Sequence, residues 1–406
     1  MININSLTDK QFKEICDKWI SNKTINPLTN KRIKEYGPTY RYFQELCSQG
    51  LADELFKNRV SADMNTRINY YLIVKDYIDK IKLQNNNNCV KFYKLVDNSI
   101  QYSIGKNIIL TERLGKGSYG VVYKAYFRPS NIIKREYGKQ FNLVIKICEI
   151  TQHNKLEIEI LFKLSQLIIK QICPHFPMCY GYFICHKALE SSDNITKLTS
   201  AESSSVLNNR SYFTSSFDDN TNFIDKPNIY LQINEYANNS TLSKIINGLH
   251  IDACINTIIQ SFISIAFFQK YINMAHRDTH GNNFLCHTIK PGGYFHYRIY
   301  NENYYLENIG YLIVINDFGL VKDLNEFTLL YDFKKFVIWF NKHKSSRSEF
   351  YIIKNFMRQL IIRGYNNVNS FYKYLFKFIN SAFPQYLLTS KPIGPIIINK
   401  DPYIIE

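Results

Sequence analysis

Nowhere in this chain do two cysteines stand as a CxxC pair. The nine present are scattered singly and odd in number, which argues against a zinc site and a complete disulfide framework and leaves most of them as reduced thiols. The opening residues, MININSLTDKQ, contain no basic stretch followed by an apolar one, so no secretory signal is visible. Apolar runs such as SFISIAFF fall far short of the roughly 20 residues that span a bilayer. No basic run and no interleaving of basic and aromatic residues marks a dedicated nucleic-acid reader. No internal repeat is evident. These absences predict a soluble intracellular protein with no transmembrane segment and no specific nucleic-acid partner.

What is present supports a folded chain. At 406 residues and 45% hydrophobic, it can bury a real core as one large domain or two unequal ones. A net charge of +16 attracts anions such as nucleotides, acidic polypeptides or anionic surfaces, although general basicity explains it equally well. The bias towards Asn, Ile, Lys and Tyr fits an AT-rich genome as readily as any selected property, and it carries no functional weight.

Residues 1–55 read as a separate, mainly helical module. Ser6 and Asp9 resemble a helix start, with Phe12, Ile15, Cys16 and Trp19 on one face. NKTINPLTNKRIKEYGP is a loop broken by Pro27 and by Gly37–Pro38, and a second short helix follows from Thr39 to Cys47. In its order of Cys, Trp, Asn-Pro, Arg, Gly, Tyr and Cys, this segment resembles the two-cysteine adaptor domain found in proteins of large DNA viruses. The resemblance implies a recruiting role towards an unknown protein partner, and a location in host cytoplasm or virion. Cys16 and Cys47 are equally readable as two buried thiols of a mini-core. Residues 56–107 are expected to form a helical connector around NYYLIVKDYIDKI. Residues 187–226, rich in Ser, Asn and Asp, are expected to be a disordered insertion.

The chemistry begins at LTERLGKGSYGVVYKAYF. Gly115, Gly117 and Gly120 let backbone N–H groups approach phosphate oxygens with no Cβ in the way. A dinucleotide-binding unit would start a helix here, whereas Val122, Lys124 and Tyr126 alternate with Val121, Tyr123 and Ala125 as in a strand. In LVIKICEI, Lys146 is the one charge in an apolar strand, either snorkelling at an edge or paired for a purpose. The helix that follows sets Leu156, Ile160, Leu164 and Leu167 on one side and offers Glu157 or Glu159 as a partner, with Glu157 preferred.

Further on, Ile255, Ile258, Ile259, Phe262, Ile263 and Ala266 predict a buried helix leading into HRDTHGNN, His276 to Asn283. The apolar GYLIVIN ends at Asp317, Phe318 and Gly319, and an Asp so placed suits Mg²⁺ held against phosphates.

Taken in this order, residues from about 108 to 340 resemble the eukaryotic-type protein kinase fold, and the catalytic domain is assigned to 108–406. The resemblance implies an α+β, bilobal protein-kinase-like fold, with a small β-rich N-lobe and a helical C-lobe. It implies ATP and Mg²⁺ as cofactors and a protein substrate phosphorylated on Ser or Thr. By the same resemblance Leu114, Gly115, Lys116, Gly117, Ser118, Tyr119, Gly120, Val121 and Val122 line the ATP site with Lys146, Glu157 and Glu235. Glu235 and Tyr236 would offer hinge backbone groups to the adenine. Asp278 would act on the acceptor hydroxyl, Asn283 and Asp317 would hold the metal, and His276 and Arg277 would brace the loop.

The pattern departs in four places. The interval from Lys146 to the Glu157 helix is short. Asp332, which begins an apolar helix resembling the kinase αF, follows Asp317 so closely that almost nothing remains for an activation segment, and no APE is present. His280 stands where Ser/Thr kinases usually place a Lys, and the D-x-H-x-x-N arrangement resembles small-molecule phosphotransferases of the aminoglycoside and choline kinase type. His280 either bonds phosphate or only braces the loop. The Tyr-rich GGYFHYRIYNENYY reads as a β-hairpin that could lie near the acceptor. A small-molecule kinase and a pseudokinase scaffold are therefore the alternatives to a protein kinase.

Overall fold

The structure is a computed structural model. It describes residues 14–15, 18–19, 21–34, 39–40, 43, 64–84, 90–94, 100–104, 107–117, 120–127, 141–185, 189–191, 228–343, 355, 358, 368–393, 397–399 and 401–406. Cys16, Cys47, Ser6, Asp9, Phe12, Ser118 and Tyr119 lie outside the described residues. In the N-terminal segment, Trp19, Tyr40 and Phe43 form a small buried cluster with Ile15 and Ile33 packed against it. The Asn26 side chain accepts from the Leu28 and Thr29 N–H groups, so the Asn-Pro turn is closed locally.

Helix α1 (Met64–Gln84) leads into an eight-stranded sheet. Its strands are β1 (Val90–Lys94), β2 (Ile100–Ile104), β3 (Ile108–Gly117), β4 (Gly120–Phe127), β5 (Phe141–Glu149), β6 (Cys179–Cys185), β7 (Leu189–Ser191) and β8 (Ile229–Glu235), in the order β6-β8-β5-β4-β3-β2-β1-β7. Sequence pattern predicted α1 but not β1 and β2, whose polar alternation is weak. Leu189–Ser191 was expected to be disordered, yet it pairs in parallel with β1; an exposed sheet edge can order a short polar segment through main-chain bonds alone. The rest of 187–226 lies outside the described residues. Between β5 and β6 runs α2 (Gln152–Ile169).

The chain then turns mainly helical, with short strands between: β9 (Ser240–Thr241), α3 (Leu242–Ile245), α4 (Ile251–Ile272), β10 (Met274–Ala275), β11 (Phe284–Thr288), β12 (Tyr294–Ile299), β13 (Glu302–Glu307), β14 (Tyr311–Ile315), β15 (Lys322–Asp323), α5 (Glu326–His343), α6 (Val368–Ala382), β16 (Leu387–Leu388) and β17 (Tyr403–Ile405). The architecture is α+β. One apolar core runs from the sheet into these helices. Helix α4 is by length and composition able to cross a membrane, contrary to the sequence expectation, but 83% of its apolar window is buried inside the protein. Apolar residues around its whole circumference are what a core helix requires. Tyr-rich β12 and β13 do pair, but their sheet neighbours are β17 and β16, and α6 packs on β12; none of these carries the HRDTHGNN loop.

Candidate functional site

The β3/β4 hairpin carries the glycines. Gly115 stands opposite Val122, Lys116 opposite Val121 and Gly117 opposite Gly120, with irregular register between Leu110 and Gly115. Two of the glycines are there for different reasons. A Cβ on Gly120 would lie 2.5 Å from the Ile147 carbonyl oxygen, so packing against β5 excludes any side chain, whereas a Cβ on Gly115 would meet nothing within 4 Å. Leu114 is exposed and Val121 buried.

Strand β5 brings Lys146 opposite Val122. Its ammonium donates to both carboxylate oxygens of Glu157 at 2.7 Å. Helix α2 places Glu157 because Thr151 caps its first turn, accepting from the Asn154 N–H at 3.1 Å, and the Asn154 side chain ties back to the Glu149 carbonyl at the end of β5. The short interval noted in the sequence is thus spanned by a tight cap. Glu159 is exposed and faces Lys155 at 4.0 Å. Burial lowers the Lys146 pKa, but Glu157 and Asp317 outweigh it and hold the ammonium above its ordinary range.

Helix α4 ends at Asn273 in a left-handed conformation and releases the loop into β10, which pairs with β15 just past Gly319. Fully buried His276 bridges two motifs. Its Nε2–H donates to the Asn316 carbonyl at 2.9 Å, and its Nδ1 accepts from the Asp278 N–H at 3.2 Å. That pattern requires the neutral ring, and burial keeps its pKa below the ordinary value against the pull of Asp332. The ring also packs on Phe318, which stacks on Phe268 at 5.1 Å.

Asp332, buried on α5, accepts the His276 N–H at 2.8 Å and the Arg277 N–H at 2.6 Å, with Gln269 Nε2 at 2.9 Å. The Thr279 hydroxyl donates to its carbonyl. This clamp holds Arg277 at a φ of 66°, in the left-handed region that costs a non-glycine residue free energy, while its guanidinium covers the Tyr331 ring at 5.5 Å.

Asp278 is surrounded by donors. Lys335 Nζ lies 2.5 Å from Oδ1, Asn283 Nδ2 is 3.0 Å from Oδ2 and His280 Nε2 is 3.3 Å from Oδ2. Burial would raise its pKa, but the bond from Lys335, with His280 and Asn283, overrides that and holds the carboxyl below its ordinary range. His280 caps the following 3-10 turn by accepting from the Asn282 N–H. Gly281 is obligatory there, since a Cβ would lie 1.9 Å from the Trp339 indole.

Antiparallel β11 and β14, paired Phe284 to Ile315, bring the end of this loop to Asp317. The Asn316 N–H donates to the Asn283 carbonyl at 2.8 Å. Asp317 has a φ of 67°, and the structure records no hydrogen bond to its carboxylate among the described residues. A Cβ on Gly319 would sit 3.6 Å from Asp317 Oδ1 and 3.9 Å from Glu157 Oε2, so the two carboxylates share one neighbourhood. Mg²⁺ commonly takes only one or two protein oxygens beside phosphates. The Asn283 amide and the Asp317 carboxylate stand at the adjoining ends of β11 and β14, and no group of three or more His, Cys, Asp or Glu among the described residues could hold a metal by itself.

Glu235, whose backbone was expected to face an adenine, is tied into the protein by its N–H and its side chain. Its N–H donates inward to the Met178 carbonyl at 2.8 Å, and its buried carboxylate meets Arg67 Nε at 2.6 Å and Nη2 at 2.7 Å. Both its N–H and its carboxylate are therefore committed within the protein. Tyr236 lies under the Lys124 ammonium at 5.0 Å. Sequence reasoning missed Arg67 and Lys335. No local signal marks Arg67; for Lys335 the signal was its spacing three residues after Asp332, which puts both on one helical face.

Residues 15–49 match the 2-cysteine adaptor domain family. The chain is also similar to the probable serine/threonine-protein kinase 380R of Invertebrate iridescent virus 6, at 20% identity over 377 aligned positions that cover 76% of this chain and 65% of that protein. It thus spans less than two thirds of that relative's length.

Proposed function

We propose that the protein is an ATP-dependent kinase of bilobal design that transfers the γ-phosphoryl group to Ser or Thr hydroxyls of proteins, recruited to a partner through residues 1–55. The observation that carries this reading is the pairing of Lys146 with Glu157 on the strand beside the glycine hairpin, with Asp317 in the neighbourhood of Glu157 and Asp278 bonded to Asn283 at the start of the strand pair that leads to Asp317. The similarity to a probable viral serine/threonine kinase supports it.

In this reading the glycine segment, including Gly115 with its open Cβ direction, covers the nucleotide phosphates. Lys146, held by Glu157, binds phosphate oxygens. Asp278 orients the acceptor hydroxyl and takes its proton. Mg²⁺, when held by Asn283 and Asp317, supplies charge neutralisation at the phosphates. Positioning and electrostatics provide the acceleration, and no covalent enzyme intermediate is needed.

A small-molecule acceptor is the second reading, favoured by His280 beside Asp278 and by the short path from Asp317 to Asp332. Labelled ATP offered with acidic and basic proteins, and separately with aminoglycosides and choline, decides between them. Label in protein supports the first reading and label only in small molecules the second. ATP binding with no transfer to any acceptor would leave a scaffold.

A further inference from the structure

Lys335 reaches the loop from a different element than every other group at Asp278. One turn of α5 presents Asp332 and Lys335 to the same short segment: Asp332 accepts the His276 and Arg277 N–H groups, and Lys335 donates to the Arg277 carbonyl at 3.0 Å and to Asp278 Oδ1 at 2.5 Å. The helix therefore grips the backbone on both its donor and its acceptor sides. An exposed ion pair is worth little. This one is two-thirds or more withdrawn from solvent, with side-chain exposures of 33% and 19%, and it has a second, backbone bond that fixes the ammonium. Asp278 Oδ2 is held in turn by Asn283 Nδ2 at 3.0 Å and faces His280 Nε2 at 3.3 Å, so each carboxylate oxygen has its own donor and the group is fixed at both ends.

We propose that Lys335 is the positioning residue of phosphoryl transfer, locking the Asp278 carboxylate in the orientation that meets the acceptor hydroxyl and placing a fixed positive charge beside the reacting phosphate. The proposal rests on the kinase reading. In the step it serves, the acceptor oxygen bonds to the γ-phosphorus as the bond to the β,γ-bridging oxygen breaks. The electron pair stays on ADP, and the acceptor proton passes to the Asp278 carboxylate. A preorganised charge of this kind is commonly worth about 100- to 1,000-fold in turnover.

The test compares the full chain with Lys335→Met, Lys335→Arg and the double variant Lys335→Met/His280→Lys in steady-state transfer from ATP to whichever acceptor the wild type labels. Lys335→Met should lower kcat by about 100- to 1,000-fold with KM for ATP unchanged, and Lys335→Arg should retain a larger share. His280 Nε2 already lies 3.3 Å from Oδ2, so a Lys at that position can reach the same carboxylate and should recover part of the lost turnover. Wild-type kcat in Lys335→Met, or a loss seen only in KM for ATP, overturns the proposal. So does failure of both Lys335→Arg and the relocated Lys to restore turnover, because the residue would then act by packing alone. A wild-type chain that labels no acceptor brings down the kinase reading itself, a result distinct from an active wild type with an indifferent Lys335.

Discussion

Arg67 and Glu235 meet in the interior, Nε to Oε1 at 2.6 Å, with each side chain 1% exposed. The guanidinium also donates to the Pro174 and Phe176 carbonyls, and Glu235 Oε2 accepts the Met178 N–H. Helix α1 is thereby bonded to the end of β8 and to the segment entering β6. Burial raises the Glu235 pKa, but Arg67 lowers it further, and the net shift is downward.

Breaking this pair from one side strands a buried charge. Arg67→Met should destabilise the protein by about 3–5 kcal/mol, whereas Arg67→Met with Glu235→Leu should cost much less. Urea unfolding of the three proteins checks this. Because the Glu235 carboxyl is depressed when folded, its contribution is complete above the unfolded pKa near 4.5 and disappears as pH falls through the lower folded value.

His175 and His287 are fully buried, and burial lowers each pKa from 6.5 to about 4. His175 is bonded through Nδ1 to the Ile313 carbonyl and through Nε2 to the Tyr297 hydroxyl, both at 2.8 Å, a pattern complete with a neutral ring. Between pH 6.5 and 4 the unfolded chain binds protons that the native one refuses, so stability is full above 6.5 and falls as the solution is acidified. Each imidazole contributes on the order of 3 kcal/mol to that fall. Thermal melts across this range should show the loss, and His175→Gln should reduce the slope.

Asp278→Asn should cut phosphoryl transfer by about 10²–10⁴-fold, the usual worth of a positioned general base, while nucleotide binding stays near wild type. Lys146→Met should instead weaken nucleotide binding, since its ammonium is joined to Glu157 rather than to Asp278. Fluorescent-nucleotide titration beside the transfer assay separates the two.

The glycines divide by the same logic. Gly281→Ala forces the Trp339 indole to move and should cost about 1–3 kcal/mol in stability. Gly115→Ala meets no neighbour, so unfolding should be nearly unchanged and any loss should appear in nucleotide affinity.

Much of the site was legible because its signals are short-range. The glycine spacing, the lone Lys146, the Asp278-to-Asn283 interval and the Asp317 strand end each lie within a few consecutive residues, where backbone periodicity constrains what they can form. The choice of Glu157 over Glu159 was close in sequence; the Thr151 cap and the buried face of α2 settle it. The role of the Glu235 side chain was not legible, because its partner Arg67 lies 168 positions away.

By itself the sequence determined the glycine hairpin, the strand that carries Lys146, the apolar helix leading into the HRDTHGNN loop and the strand that ends at Asp317, since these follow from local spacing and hydrophobic burial, whereas β1, β2 and the edge strand β7 did not. Only the tertiary structure decided which charges meet. Arg67 with Glu235 and Lys335 with Asp278 are separated by 168 and 57 positions. Such pairs form because packing of α1 on β6 and of α5 under the loop removes water around groups that must then find one another.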